Sequence, residues 1–297
     1  MQFLIFVLVY PLIWLLSILP FRVLYFISDI AYYIVYYIVG YRKKTVFHNL
    51  NLAFPEKTER EIKAIAKKSY RHFTDIFVEM IKSFTISEKE LSKRYTFKNI
   101  DILYKLENEH RSAMLLAAHY GNWEWIFILN TQVKFNGYAI YKKVKNPYFD
   151  KKVRQTRGRY GTKLVPTKEI FSLIDENSKK NKLSLYGFLG DQTPKPDKAY
   201  YWGEFLGVKN IPIHTGAELL AKKYDLPIVI FTTKKIRRGF YETTFLATTN
   251  DPKSVEDYKI TDQFLRIVEK EIRKAPEFYF WTHKRFKHQD KAPENHQ

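Results

Sequence analysis

Apolar residues follow two unlike patterns along this chain. Over the first forty positions they are nearly unbroken: residues 1–21 carry no charged side chain, and Arg22 and Asp29 are the only charges before Arg42. A helix of some twenty residues spans about 30 Å, one hydrocarbon core, and Pro11 and Pro20 are placed to kink or end it. Residues 23–39 form a second apolar stretch, dense in tyrosine, closed by Arg42, Lys43 and Lys44. Beyond it the pattern turns amphipathic. Thr58-Glu59-Arg60-Glu61 has the form of a capping box, and Ile62, Ile65, Tyr70, Phe73, Phe77, Met80 and Phe84 recur after it at helical spacing. Ser87-Glu88-Lys89-Glu90 is a second such box. From Tyr95 onward short apolar runs alternate with helical ones. Strands are predicted near 114–118, 138–141, 163–165, 183–188, 227–232 and 240–248. Helices are predicted near 123–131, 147–159, 169–178, 215–224 and 262–273. Such alternation predicts an α/β domain with a mixed, largely parallel sheet flanked by helices. Arg237-Arg238-Gly239 would turn the last two strands into a hairpin.

The first forty residues are heavy for a soluble core and read as a hydrophobic helical membrane anchor. Either the first segment spans and the second lies along the interface, or both dip into one leaflet. A cleaved signal peptide is not expected, because a basic leader and a small-residue cleavage site are both missing. The positive-inside bias assigns Arg42 onward to the cytoplasmic side. The expected organisation is an anchor over 1–44, a catalytic domain over 45–287 and a polar tail over 288–297.

Charge narrows the partners. Lys and Arg number 50 against 31 Asp and Glu, a net charge of +19. That suits anionic lipid headgroups, an acidic carrier protein or nucleic acid, or simply a basic, soluble surface. There is no cysteine, which excludes disulfides, thiolate metal sites and a cysteine nucleophile. The 23 Phe, 22 Tyr and 5 Trp suit a boundary between apolar and wet surroundings. No P-loop, dinucleotide glycine pattern, G-x-S-x-G elbow or H-E-x-x-H zinc helix is present. A covalent acyl-enzyme is therefore disfavoured, and no metal or cofactor is expected.

The candidate chemistry centres on Ala117-Ala118-His119-Tyr120-Gly121-Asn122-Trp123-Glu124-Trp125. On one helix, residues five apart point about 140° from each other. With His119 on the turn after a strand and Glu124 in the first turn of the next helix, the carboxylate can reach back to the imidazole. A carboxylate-oriented histidine is a general base; a lone histidine among aromatics is also a common structural residue. In Gly190-Asp191-Gln192-Thr193-Pro194, Asp191 and Gln192 end a strand, either to hold a polar headgroup or as an ordinary turn. A basic stretch runs through Lys142, Lys143, Lys145, Lys151, Lys152, Arg154, Arg157 and Arg159. Arg154 and Arg157 share a helix face and are the expected anion contacts. His214 precedes a helix that Thr215 is expected to cap, with first-turn N–H groups suited either to an anion or to an ordinary cap. The closing aromatic and cationic run, 278–287, fits a membrane rim, a packed last strand or nucleic acid; the anchor favours the membrane over nucleic acid.

Taken in order, these blocks resemble the late acyltransferases of lipid A biosynthesis, within the wider glycerolipid and lysophospholipid acyltransferase group. Tyr41-Arg42, Asn49-Leu50 and Ala53-Phe54-Pro55-Glu56 resemble the family's segment after the anchor. His119 and Glu124 match its H-x4-D/E signature, in the form H-Y-G-N-W-E. Asn146-Pro147 and the arginines after it resemble the next block, and Gly190-Asp191-Gln192 matches the D-Q block. Phe205, Gly207 and Thr215-Gly216-Ala217 resemble the block after that one. Trp281-Thr282-His283-Lys284-Arg285-Phe286-Lys287 is similar to the W-x-H-R-R-F-K ending, with Lys284 in place of the first arginine. The resemblance implies transfer of a fatty acyl chain from acyl carrier protein, or acyl-CoA, to a hydroxyl of an anionic glycolipid at the cytoplasmic side of the inner membrane. His119 would be the base and Glu124 its partner, backbone N–H groups after Gly121 would hold the oxyanion, and Asn122, Arg154, Arg157, Asp191 and Gln192 would contact substrate. The wider group also acylates phospholipids and amino-acid lipids. A non-catalytic basic membrane protein and a nucleic-acid binder are the readings from other classes.

Overall fold

A computed structural model of the chain describes residues 1–292; residues 293–297, half of the expected polar tail, lie outside the described residues. Pro20 separates helix α1 (Gln2–Ile18) from α2 (Phe21–Tyr33), which widens into a π-helical turn over Ile34–Val39. Pro11 is accommodated within α1. After α3 (Lys43–Ala53), the predicted capping box opens the long α4 (Glu59–Lys82): Glu61 N–H donates to Thr58 Oγ1, and Thr58 N–H to Glu61 Oε2. The second expected box is half made. Ser87 Oγ caps α5 (Glu88–Arg94), but the Glu90 carboxylate turns to Arg94 instead, at 2.6 Å.

Strands β1 (Tyr95–Lys98), β2 (Ala113–Ala117), β3 (Asn136–Tyr141), β4 (Lys163–Pro166) and β5 (Ser184–Leu189) are followed by a two-stranded hairpin, β6 (Tyr201–Phe205) with β7 (Val208–Ile213), and by β8 (Ile228–Arg237) and β9 (Phe240–Thr249). Helix α6 (Asp101–Asn108) precedes β2. Helices α7 (Pro147–Arg157), α8 (Ile170–Lys179), α9 (Gly216–Tyr224) and α10 (Lys259–Lys274) fall near the predicted places. The main sheet runs β1-β9-β8-β2-β5-β3-β4 and is parallel at every pairing except β8 with β9. That pair is the expected hairpin, turning at Gly239 with φ +75°. Strand β2 is central. All five of its residues are buried because both faces are covered: Met114 and Leu116 pack toward the larger core that includes α10, Leu115 and Ala117 toward the core beneath α6. The sequence pattern missed β1, the β6–β7 hairpin and helices α3 and α6. The predicted helix over 123–131 is a tighter 3₁₀ helix, Trp123–Thr131.

The two N-terminal helices lie against the body of the protein. Lys82 Nζ on α4 donates to the carbonyl oxygens of Ser17 and Leu19, while at the other end of α1 Asn146 donates to Gln2 O and Phe6 packs on Tyr148 and Phe149. Helix α2 is pinned by Arg238 at the hairpin tip, which bonds Asp29 of α2 at 2.7 Å and Asp75 of α4 at 2.6 Å. The outward sides remain apolar and exposed, including Leu8, Leu12, Phe26 and Ile30.

Candidate active site

The register of the central strands builds the site. Ala117 of β2 pairs with Leu189 of β5, and Gly190 N–H donates to Ala117 O at 2.9 Å. Two residues beyond each partner of this pair stand His119 and Asp191. Both therefore leave the carboxyl ends of neighbouring parallel strands, where open α/β sheets place their ligand crevices. Asp191 Oδ1 accepts the His119 backbone N–H at 3.0 Å and lies 2.7 Å from ring Nδ1. With Nδ1–H donating, Nε2 keeps its lone pair, 3.3 Å from the Gln192 amide nitrogen. The His119 side chain is 17% exposed and that of Asp191 is 2% exposed, so the imidazole meets the cavity and the carboxylate only supports it. Burial alone would push the Asp191 carboxyl up. The charge and hydrogen bonds of His119 outweigh it and hold the carboxyl below its ordinary value.

Glu124 is differently engaged. Its two oxygens take Arg157 Nε at 2.9 Å and Nη2 at 2.6 Å, a bidentate pair. The carboxylate bonded to the imidazole is thus Asp191, brought from 72 residues away by strand pairing. Glu124 sits with His119, Trp123, Arg157 and Gln192 around a cavity of about 450 Å³. Two smaller, mostly apolar cavities, about 200 and 230 Å³, adjoin it and also reach Glu124; one runs past Trp123 and Phe280, the other past Trp125 toward Ile13 of α1.

Asn122 does not face the cavity. It is wholly buried; its Oδ1 caps the N–H groups of Glu124 and Trp125 at 3.1 Å, and its Nδ2 donates to Glu79 at 2.7 Å. Those two N–H groups are therefore not free for an oxyanion, and Gly121 N–H already donates to Phe278 O. Glu79 also accepts from the hydroxyls of Tyr25 and Tyr241. Burial pushes its carboxyl up to about 7. Gly121 has φ +63°, and a Cβ there would stand 2.6 Å from Thr233 O, so both the backbone turn and the close approach require glycine. Arg154, expected beside Arg157, lines a separate polar cavity with Lys143, Lys151 and Lys163. The two guanidinium groups are not brought together.

The family profile described as "Bacterial lipid A biosynthesis acyltransferase" matches residues 1–288. The chain belongs to this family. The lipid A biosynthesis lauroyltransferase of Escherichia coli K12 is 23% identical over 277 residues, covering 93% of this chain and 89% of that one. The palmitoleoyltransferase of the same organism is 22% identical, covering 93% and 88%. Among solved structures, the 1-acyl-sn-glycerophosphate acyltransferase of Thermotoga maritima aligns with a TM-score of 0.39 at 15% identity, covering 88% of this chain and 94% of that chain.

In this acyltransferase the closing block packs beside the histidine loop. Tyr120 forms an isolated bridge with Tyr279, and Phe280 N–H donates to His119 O at 3.1 Å. Phe280 and Trp123 flank the imidazole, with ring centroids 6.0 and 5.2 Å away. Residues 278–282 line the adjoining apolar cavity, Tyr279, Trp281 and Phe286 pack into the core, and the run 278–287 forms no strand beyond the Tyr279 bridge. His72 escapes sequence reasoning because its helix pattern is that of scaffold. It is fully buried, pairs through Nε2 with Gly121 O at 3.2 Å, and burial lowers it to about 3, so it is neutral. His214 is also held below its ordinary value, first by burial and then by Arg285.

Proposed function

We propose that this acyltransferase moves a fatty acyl chain from acyl carrier protein, or from acyl-CoA, onto a hydroxyl of a lipid A precursor or related glycolipid, with His119 as general base. The bond from Nδ1 to Asp191 carries this reading, because it leaves the Nε2 lone pair beside the cavity. Nε2 takes the acceptor's hydroxyl proton while that oxygen attacks the thioester carbonyl. The C–O bond forms, the C–S bond breaks, and the imidazolium returns the proton to the leaving thiolate. Asp191 holds the tautomer and balances the imidazolium charge. Arg157, aimed by Glu124, and Lys142 line the same cavity and are donors for the oxyanion. The apolar cavities on either side of Glu124 suit hydrocarbon chains, and the net positive charge suits an acidic donor protein and an anionic acceptor.

Residues 1–44 serve in this reading as a membrane-docking unit on the cytoplasmic face of the inner membrane, with 45–287 as the acyltransferase domain. Contacts at both ends of α1 with the body of the protein favour helices that dip into one leaflet. Losing a positioned base costs about 10²–10⁴ in rate. His119→Ala should therefore nearly abolish transfer of labelled acyl chain to the glycolipid while the protein stays folded by circular dichroism. A folded variant within tenfold of wild type rejects the assignment. Mass spectrometry of lipids from cells lacking the gene identifies the acceptor by its missing chain.

A further inference from the structure

Glu79 of α4 is wholly buried, and no step of the transfer uses it. It forms no ion pair among the described residues; Lys235 and Arg238 bond Asp75, one turn earlier on the same helix, instead. A carboxylate buried away from any paired cation is costly, so packing alone favours an apolar or amide side chain there. What the carboxylate supplies is two oxygens that accept from three separate elements. Oε1 takes the Tyr25 hydroxyl of α2 at 2.8 Å. Oε2 takes the Tyr241 hydroxyl of β9 at 2.9 Å and Asn122 Nδ2, from the turn after β2, at 2.7 Å. His72, two turns earlier on α4, bonds Gly121 O, so this helix grips the turn at two points.

Asn122 passes this hold to the site. Its Oδ1 accepts the N–H groups of Glu124 and Trp125, so its two ends tie Glu79 to the first turn of the 3₁₀ helix. Further contacts fall on the same turn. Trp125 Nε1 donates to Ser83 Oγ at 3.1 Å, and the Phe21 ring of α2 meets the Trp125 ring edge-on at 6.2 Å. The Glu124 side chain leaves this turn for Arg157, which lines the cavity with His119. We infer that Glu79 is a positioning residue: through Asn122 it fixes the turn that aims Glu124 and Arg157, and through Tyr25 it makes that aim depend on α2 being seated against α4. This rests on the reading of Arg157 as a donor to the oxyanion. A guanidinium serves there only when it is held in place before charge develops. Loosening the turn therefore slows the chemical step without weakening substrate binding.

The test is kcat and KM for acyl transfer by the full-length enzyme in Glu79→Leu and Tyr25→Phe, each alone and combined with Arg157→Gln. E79L should lower kcat about tenfold or more, with KM for the donor within about twofold. Y25F, which removes one hydroxyl and keeps the ring, should lower kcat about threefold. On the Arg157→Gln background each loss should shrink to less than about twofold, because the group being aimed is gone. A merely structural role would multiply through unchanged. A folded E79L with wild-type kcat, or losses that multiply fully with R157Q, overturns the inference. If E79L does not fold, Y25F decides alone: wild-type kcat, or full multiplication, overturns it. Should Arg157→Gln by itself keep wild-type kcat, the oxyanion reading of Arg157 has failed and takes this inference with it; should it be slow while the other losses multiply with it, only this inference has failed.

Discussion

Asn49 Nδ2 donates to the carbonyl oxygens of Trp281 at 2.9 Å and His283 at 2.7 Å, joining α3 to a segment more than 230 residues later. Arg42 adds a bond to Thr282 O at 3.1 Å. The segment they hold is the one that walls the His119 loop. Two buried hydrogen bonds whose loss strands two carbonyls are worth about 2–3 kcal/mol. Asn49→Ala should lower the denaturation midpoint accordingly and reduce acyl transfer. Unchanged urea unfolding would show that the clamp carries no load.

Asp191→Asn should leave a folded protein with transfer reduced about 10²–10⁴-fold, since the amide no longer enforces a proton on Nδ1. The variant should also change acid stability. The folded carboxyl sits below its ordinary value, so the native state binds fewer protons than the unfolded chain. That stabilisation is complete above about pH 4 and is lost as pH falls through the folded value. Urea midpoints measured from pH 2 to 5 should fall more steeply in wild type than in the variant.

Glu79 works with the opposite sign. Its folded carboxyl is raised to about 7, so between about pH 4.5 and 7 the native state binds more protons than the unfolded chain. Stability should therefore decline as pH rises through that window, by an amount on the order of 3 kcal/mol, and level off above it. Glu79→Gln should remove this slope. Equal pH 5 and pH 8 midpoints in wild type would refute it.

The Glu124–Arg157 pair is bidentate and part-buried, so removing one partner leaves a charged group short of its hydrogen bonds, at about 1–3 kcal/mol. Arg157→Lys should behave as a damaging change, because an ammonium cannot match the fork. Glu124→Gln combined with Arg157→Gln should cost less in stability than the sum of the single changes. Strict additivity in denaturation would dismiss the coupling.

Leu8 and Phe26, 65% and 66% exposed, lie on the outer sides of α1 and α2. Each apolar side chain moved out of water is worth about 1.5–3 kcal/mol. The double change Leu8→Glu with Phe26→Glu should weaken sedimentation with anionic vesicles at least tenfold; undiminished binding argues against docking through this surface.

The sequence by itself determined most of the strands and helices and the ingredients of the site. Continuous apolar runs mark strands covered on both faces, a Thr-x-x-Glu box marks where α4 begins, and a histidine at the end of a buried strand marks where chemistry can occur. Such signals are local, set by backbone periodicity and nearest-neighbour hydrogen bonds. The pairing of carboxylates was not local. Within the H-x4-E spacing Glu124 is the near candidate for His119, yet β2 and β5 lie side by side in a register that delivers Asp191, while α7 brings Arg157 to claim Glu124. Asn122, polar and next to the histidine, has the look of a substrate contact; only packing against α4 turns it inward to Glu79. Hydrogen bonds between residues 72 or more than 230 positions apart depend on strand order and helix docking, which one-dimensional spacing does not encode.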